Sequence, residues 1–228
     1  MLSSVLNSIL LISMSDIEPA KQFISVNRTA RIFSIGDVSS ASLVWICLHG
    51  YGQNVKRFTQ ALQSLKSEQN AVLIPEALHR FYIKGNSGDV GASWMTKEER
   101  EFDIQDNISY LDTLCRELNI EHKQIAVLGF SQGAATAMRW VCCGNIAVKQ
   151  LVMWAGAIPP DMDINRDLNR LKKTDIDFVF GDQDEYYNES VISGITDELS
   201  KINVPFRMLR FEGGHRLNSA LLRELSTY

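Results

Sequence analysis

Cysteine and proline are both scarce in this chain of 228 residues, which carries four of the first and five of the second. Cys47, Cys115, Cys142 and Cys143 contain no C-x-x-C pair, so neither a thioredoxin-like redox motif nor a cysteine zinc site is indicated. So few thiols cannot form a disulfide scaffold. They read as the thiols of a protein in a reducing compartment, the cytoplasm. Clusters of one charge are also missing. Lys and Arg number 23 against 27 acidic residues, for a net charge of −4, which gives no electrostatic footing for nucleic acid. No apolar run approaches the ~20 residues that span a bilayer, so stable membrane insertion is not expected. Residues 1–15 carry no charge and include Val5-Leu6 and Ile9-Leu10-Leu11-Ile12. It lacks a basic start and an A-x-A-like cleavage site, as a secretory signal would have. We read it as an over-extended N-terminus ahead of the folded part, with a weak export signal as the alternative. Internal repeats and low-complexity tracts are absent, and residues 16–228 read as one domain.

What remains is 45% hydrophobic and 22% charged, an ordinary globular composition. Apolar runs at residues 43–48, 71–74, 124–128, 150–155, 177–180 and 206–211 predict strands. Between them lie helical patterns at about 55–69, 97–119, 134–140, 165–172 and 189–202, with a last helix at about 218–226. The long helix should turn Phe102, Ile108, Leu111, Leu114 and Leu118 inward. Residues 21–26 and 30–35 alternate around Asn27-Arg28-Thr29 and predict a hairpin at a sheet edge. Residues 76–93 read as a long loop. Strands alternating with helices imply a mainly parallel sheet covered on both faces. Ligand sites in such sheets lie beyond the carboxyl ends of the strands.

One stretch organises this pattern. Gly129-Phe130-Ser131-Gln132-Gly133 joins the strand at 124–128 to a helix. A sharp strand-to-helix turn lifts a serine hydroxyl above the sheet edge, and the glycines permit the crowding that such a turn needs. Serine is a poor nucleophile alone. It needs a base within reach and an acid to orient that base. His215 follows the last strand after two glycines and is the preferred base. His49 ends a central strand and reads as a turn-fixing residue, while His79 and His122 lie in polar loops. The acid should fall between serine and histidine in chain order, which admits Asp182 and Asp184. A hydrolase-fold protein that only binds a ligand, or an acyltransferase using the same serine, would carry the same residues.

The Gly129–Gly133 turn, His49-Gly50-Tyr51-Gly52, Gly181-Asp182-Gln183-Asp184 and Gly214-His215 together resemble the phospholipase/carboxylesterase family of α/β-hydrolases, which includes the acyl-protein thioesterases. The resemblance covers residues 43 to the C-terminus. It implies an α/β-hydrolase fold, a mostly parallel central sheet of about seven to eight strands with helices on both faces. It implies a serine carboxylesterase or thioesterase that takes a small-molecule ester or thioester and needs no metal or cofactor. It selects Asp184 over Asp182 as the acid. It assigns the oxyanion hole to the backbone N–H groups of Tyr51 and Gln132, and places Trp94 in the substrate pocket. A homodimer is compatible with such a chain. Two departures stand out: Tyr51-Gly52-Gln53-Asn54 where thioesterases carry Leu-Gly-Asp, and Glu185-Tyr186-Tyr187 after the acid. Both add bulk near the pocket and favour small or medium acyl groups over long ones.

Overall fold

Apolar residues on successive strand positions sort onto two opposite faces, and this sorting builds the molecule. The computed structural model describes residues 20–201 and 203–227, without the side chains of 164–167. The expectation for residues 1–15 lies outside these. The strands are β1 (Ile32–Ile35), β2 (Leu43–Leu48), β3 (Asn70–Pro75), β4 (His79–Tyr82), β5 (Val90–Ser93), β6 (Gln124–Phe130), β7 (Gln150–Trp154), β8 (Asp175–Gly181) and β9 (Arg207–Phe211). The helices are α1 (Val55–Ala61), α2 (Arg100–Glu117), α3 (Gln132–Cys143), α4 (Ile164–Leu171), α5 (Glu189–Lys201) and α6 (Ser219–Leu225). Seven strands form one sheet in the order β1-β3-β2-β6-β7-β8-β9. Every pairing in it is parallel except that of β1 with β3.

Each central strand feeds both cores. Ile46, Val127, Met153 and Phe178 pack with residues of α2, α3 and α5 on one face. Trp45, Leu128, Val152 and Val179 pack with those of α1 and α6 on the other. A strand buried on both sides needs apolar residues at every position, and this is why these runs lack alternation. Polar groups at the strand starts are paired: Asp177 on β8 accepts from Arg207 at 2.6 and 2.9 Å and from Gln150 at 2.7 Å.

Four expectations need correction. The hairpin of residues 21–26 with 30–35 does not form. Residues 20–31 are not in a strand, and Phe23, Ile24 and Val26 are exposed. β1 instead pairs with β3, because a two-stranded ribbon is marginal alone whereas the edge of β3 extends an existing ladder. The first helix stops at Ala61, and a 3-10 turn, Gln63–Leu65, follows. Three residues per turn aligns Leu62 with Leu65, and both are fully buried. The long loop contains a hairpin, β4 with β5, in the register His79↔Ser93. Finally, α2 turns Asn107, Leu111, Leu114 and Cys115 inward, while Phe102 and Leu118 are 44% and 41% exposed. Phe102 packs on Phe23, itself exposed, with centroids 4.6 Å apart. Truncating Leu111 to Ala should therefore cost about 2–5 kcal/mol in urea unfolding. Phe102→Ala should cost less than about 1 kcal/mol.

Candidate active site

β6 ends at Phe130 and α3 begins at Gln132, so Ser131 alone makes the reversal. It does so at φ 54°, ψ −117°, a region that side-chain-bearing residues rarely enter. The glycines on either side are required by contact. A Cβ on Gly129 would lie 2.4 Å from Ala134 Cα, and one on Gly133 would lie 2.2 Å from the Leu48 carbonyl oxygen. The start of α3 is thus pressed directly onto β6 and the end of β2. The Ser131 N–H donates to the Trp154 carbonyl at 2.8 Å, tying the bend to β7.

Two further loops arrive from β8 and β9. They are laced together, with the Gly213 N–H donating to Asp182 Oδ1 at 2.8 Å and the Gln183 N–H donating to the Gly213 carbonyl at 2.9 Å. The lacing sets His215 beside the serine. Its Nε2 lies 2.9 Å from Ser131 Oγ, and its Nδ1 lies 2.9 Å from Asp184 Oδ2. The Asp184 side chain is fully buried, and its Oδ1 accepts the Tyr186 N–H at 2.9 Å. The structure brings Ser131, His215 and Asp184 into one hydrogen-bonded row and leaves Asp182 out of it. With the carboxylate accepting from Nδ1–H, Nε2 is left to accept the serine proton. Aromatic rings enclose the imidazole: Phe130 at 5.0 Å, Tyr186 at 4.8 Å and Tyr187 at 6.3 Å between centroids. Burial, together with the Asp184 charge, pushes the Tyr187 hydroxyl above its ordinary range.

The loop after β2 lies against the serine, since a Cβ on Gly50 would sit 3.2 Å from Ser131 Cβ. Gln132 is the first residue of α3, so its N–H has no acceptor within the helix. Among the described residues the Tyr51 N–H has no backbone acceptor either. Both N–H groups are therefore available to a ligand. The Tyr51 ring is 63% exposed and lies 5.5 Å from the ring of Phe81.

Trp94 occupies a different place from the one expected. It is fully buried, its indole N–H donates to the His49 carbonyl at 2.8 Å, and its own carbonyl accepts from Asn107 Nδ2 at 2.6 Å. It offers no surface to a substrate and acts as a strut. The Gln132 side chain does something that nothing in the sequence pattern signals. Its Oε1 accepts the Trp94 N–H at 3.0 Å, and its Nε2 donates to the Met95 carbonyl at 2.9 Å. The end of the β4–β5 hairpin is thereby clamped to the bend. Among the other histidines, His79 is exposed beside Asp103 at 3.0 Å, and His122 is exposed. A cavity of about 360 Å³ opens at the opposite sheet edge, lined by Lys149, Lys172 and Arg207, away from these groups. Among the described residues, no cluster of three or more His, Cys, Asp or Glu could hold a metal ion, and no helix is long and apolar enough to cross a membrane.

Sheet order and helix placement are those of the α/β-hydrolase fold. Within that class the chain belongs to the phospholipase/carboxylesterase family, whose model matches residues 30–228. Solved structures of similar fold include Zea mays acyl-protein thioesterase 2, at 18% identity, TM-score 0.68, covering 87% of this chain and 97% of that one. Esterase PE8 is 19% identical, with TM-score 0.69 and coverage of 88% and 97%. A phospholipase/carboxylesterase from Dyadobacter fermentans is 17% identical, with TM-score 0.64 and coverage of 90% and 99%. At such identities the structural likeness speaks for the fold. Family membership supports a hydrolase of the carboxylesterase or thioesterase kind.

His49 allows a test of the loop geometry. It is fully buried, with Nδ1–H donating to the Gly50 carbonyl at 2.8 Å and Nε2 accepting the Ala77 N–H at 3.1 Å. Burial holds its pKa below the ordinary 6.5, outweighing the Gly50 carbonyl and the Glu76 carboxylate, which push the other way. The unfolded chain binds this proton more readily than the folded one. Stability should therefore fall as pH drops below about 6.5, with a slope from this group of at most about 1.4 kcal/mol per pH unit. Urea unfolding across that window should show a shallower slope for His49→Gln than for wild type.

Proposed function

We propose that the protein is a serine hydrolase that cleaves carboxylic esters or thioesters of small or medium acyl groups through an acyl-enzyme. The observation that carries this reading is the row Asp184–His215–Ser131, with both hydrogen bonds at 2.9 Å. Ser131 Oγ attacks the acyl carbon while His215 Nε2 takes its proton. The carbonyl oxygen becomes an oxyanion facing the N–H groups of Tyr51 and Gln132. The imidazolium then protonates the leaving alcohol or thiol, and the bond from the acyl carbon to that oxygen or sulfur breaks. Water, deprotonated by the same imidazole, attacks the Ser131 ester, the bond from the acyl carbon to Oγ breaks, the imidazolium returns its proton to Oγ, and the acid leaves. Asp184 keeps Nδ1 protonated and stabilises the imidazolium. Each oxyanion donor is worth about 3–4 kcal/mol in such reactions. No step calls for a metal or cofactor. The reading places the reaction within one domain of a cytoplasmic protein acting on a small-molecule substrate.

A fluorophosphonate probe should label the wild-type protein and leave Ser131→Ala unlabelled. His215→Ala should slow labelling by about 100-fold or more. Labelling of Ser131→Ala at the wild-type rate would contradict the assignment. Gln132→Ala retains its N–H but releases residues 93–95. It should lose about 10- to 100-fold in kcat/KM on a p-nitrophenyl ester, less than Ser131→Ala.

A further inference from the structure

Tyr186 has an unusual position for an aromatic side chain. Its ring is 66% exposed, yet it stands on the histidine of the candidate site, 4.8 Å away and edge-on at 69°. It is not free to wander far, because its backbone N–H is held by Asp184 Oδ1 at 2.9 Å. Behind the imidazole, Tyr187 lies nearly parallel to it, at 8° and 6.3 Å, and is half-buried against Phe180. Tyr187 thus backs the site, while Tyr186 fronts it with open aromatic surface. A tyrosine ring has only two side-chain torsions, so it presents contact area at low entropic cost.

We propose that Tyr186 is a specificity-determining contact for the alcohol part of the substrate, and that this part is a neutral group carrying an aromatic ring. The inference rests on the hydrolase reading above and deepens it. In that reaction His215 Nε2 delivers its proton to the leaving oxygen, so that oxygen must lie within hydrogen-bond reach of the imidazole. The acyl oxygen is meanwhile held at the Tyr51 and Gln132 N–H groups. The alcohol skeleton therefore lies beside the His215 imidazole, and the exposed Tyr186 ring stands 4.8 Å from that imidazole. A flat ring gains from edge-to-face or offset contact with Tyr186, whereas a puckered ring of the same size gains only burial. Glu185, exposed beside Tyr186, disfavours a carboxylate on the same group.

The test compares kcat/KM for benzyl acetate and cyclohexylmethyl acetate, which share an acyl group and differ in a flat against a puckered ring. Their intrinsic reactivities cancel when the benzyl-to-cyclohexylmethyl ratio of wild type is divided by that of a variant. Tyr186→Leu keeps the backbone N–H and the apolar bulk. The ratio should fall about two- to tenfold in this variant and be retained in Tyr186→Phe. On the acyl side, the ratio for methyl phenylacetate over methyl cyclohexylacetate should not move in Tyr186→Leu. An unchanged alcohol-side ratio, or an equal fall in both ratios, overturns the proposal. If wild type takes fluorophosphonate at Ser131 and hydrolyses both acetates with the ratio insensitive to Tyr186→Leu, only this inference fails. If it neither takes the probe nor hydrolyses any ester, the hydrolase reading fails with it.

Discussion

The backbone at Ser131 is the constraint on which the other features depend. A residue with a side chain, held at φ 54°, costs of order 1–3 kcal/mol unless its surroundings over-determine it. Here they do. Strand β6 enters the bend fully buried, and α3 leaves it with Ala134, Ala137, Met138 and Trp140 all at 0% exposure. Gly129 and Gly133 let helix and strands touch backbone to backbone, and the Ser131 N–H is fixed to β7. The hydroxyl is thereby lifted to the sheet edge at the start of a helix, where unpaired N–H groups gather.

Everything else at this edge is arranged around that bend. Two aspartates two residues apart divide the work on the far side. Asp182 laces the β8 and β9 loops by accepting the Gly213 N–H, and Asp184 turns inward to His215. On the near side a different chain of bonds runs from the His49 carbonyl to the Trp94 indole, and from the Trp94 N–H to the Gln132 side chain. Four segments that are distant in sequence are thus joined to the bend by hydrogen bonds. The exposed rings of Tyr51 and Tyr186 stand at the margin of this frame.

Much of this was legible in the sequence where the physics is local. Strands buried on both faces write themselves as unbroken apolar runs, and a glycine-flanked serine between such a run and a helix has few other uses. The Ser131, Asp184 and His215 positions followed from chain order and the family resemblance, and the fold brings them within hydrogen-bond distance. The parts that were not legible depend on partners far along the chain. Nothing near residues 21–26 says that β3 would offer β1 a better edge. The pattern of α2 cannot tell that Phe102 packs on the exposed Phe23 at the surface. Trp94 reads equally as a pocket wall or a strut until the His49 carbonyl is seen to take its indole proton. Gln132 was visible as a backbone donor, but its side-chain clamp on residues 93–95 requires a hairpin whose weakly patterned residues are held by pairing with each other and with Gln53.

The most direct measurement of the central claim is peptide mapping by mass spectrometry after brief exposure to a slowly hydrolysed p-nitrophenyl ester, quenched in acid. The account predicts an acyl adduct on the peptide containing Ser131, absent from His215→Ala under the same exposure. An adduct on a different residue, or steady ester consumption with no adduct on Ser131 at any quench time, would contradict it.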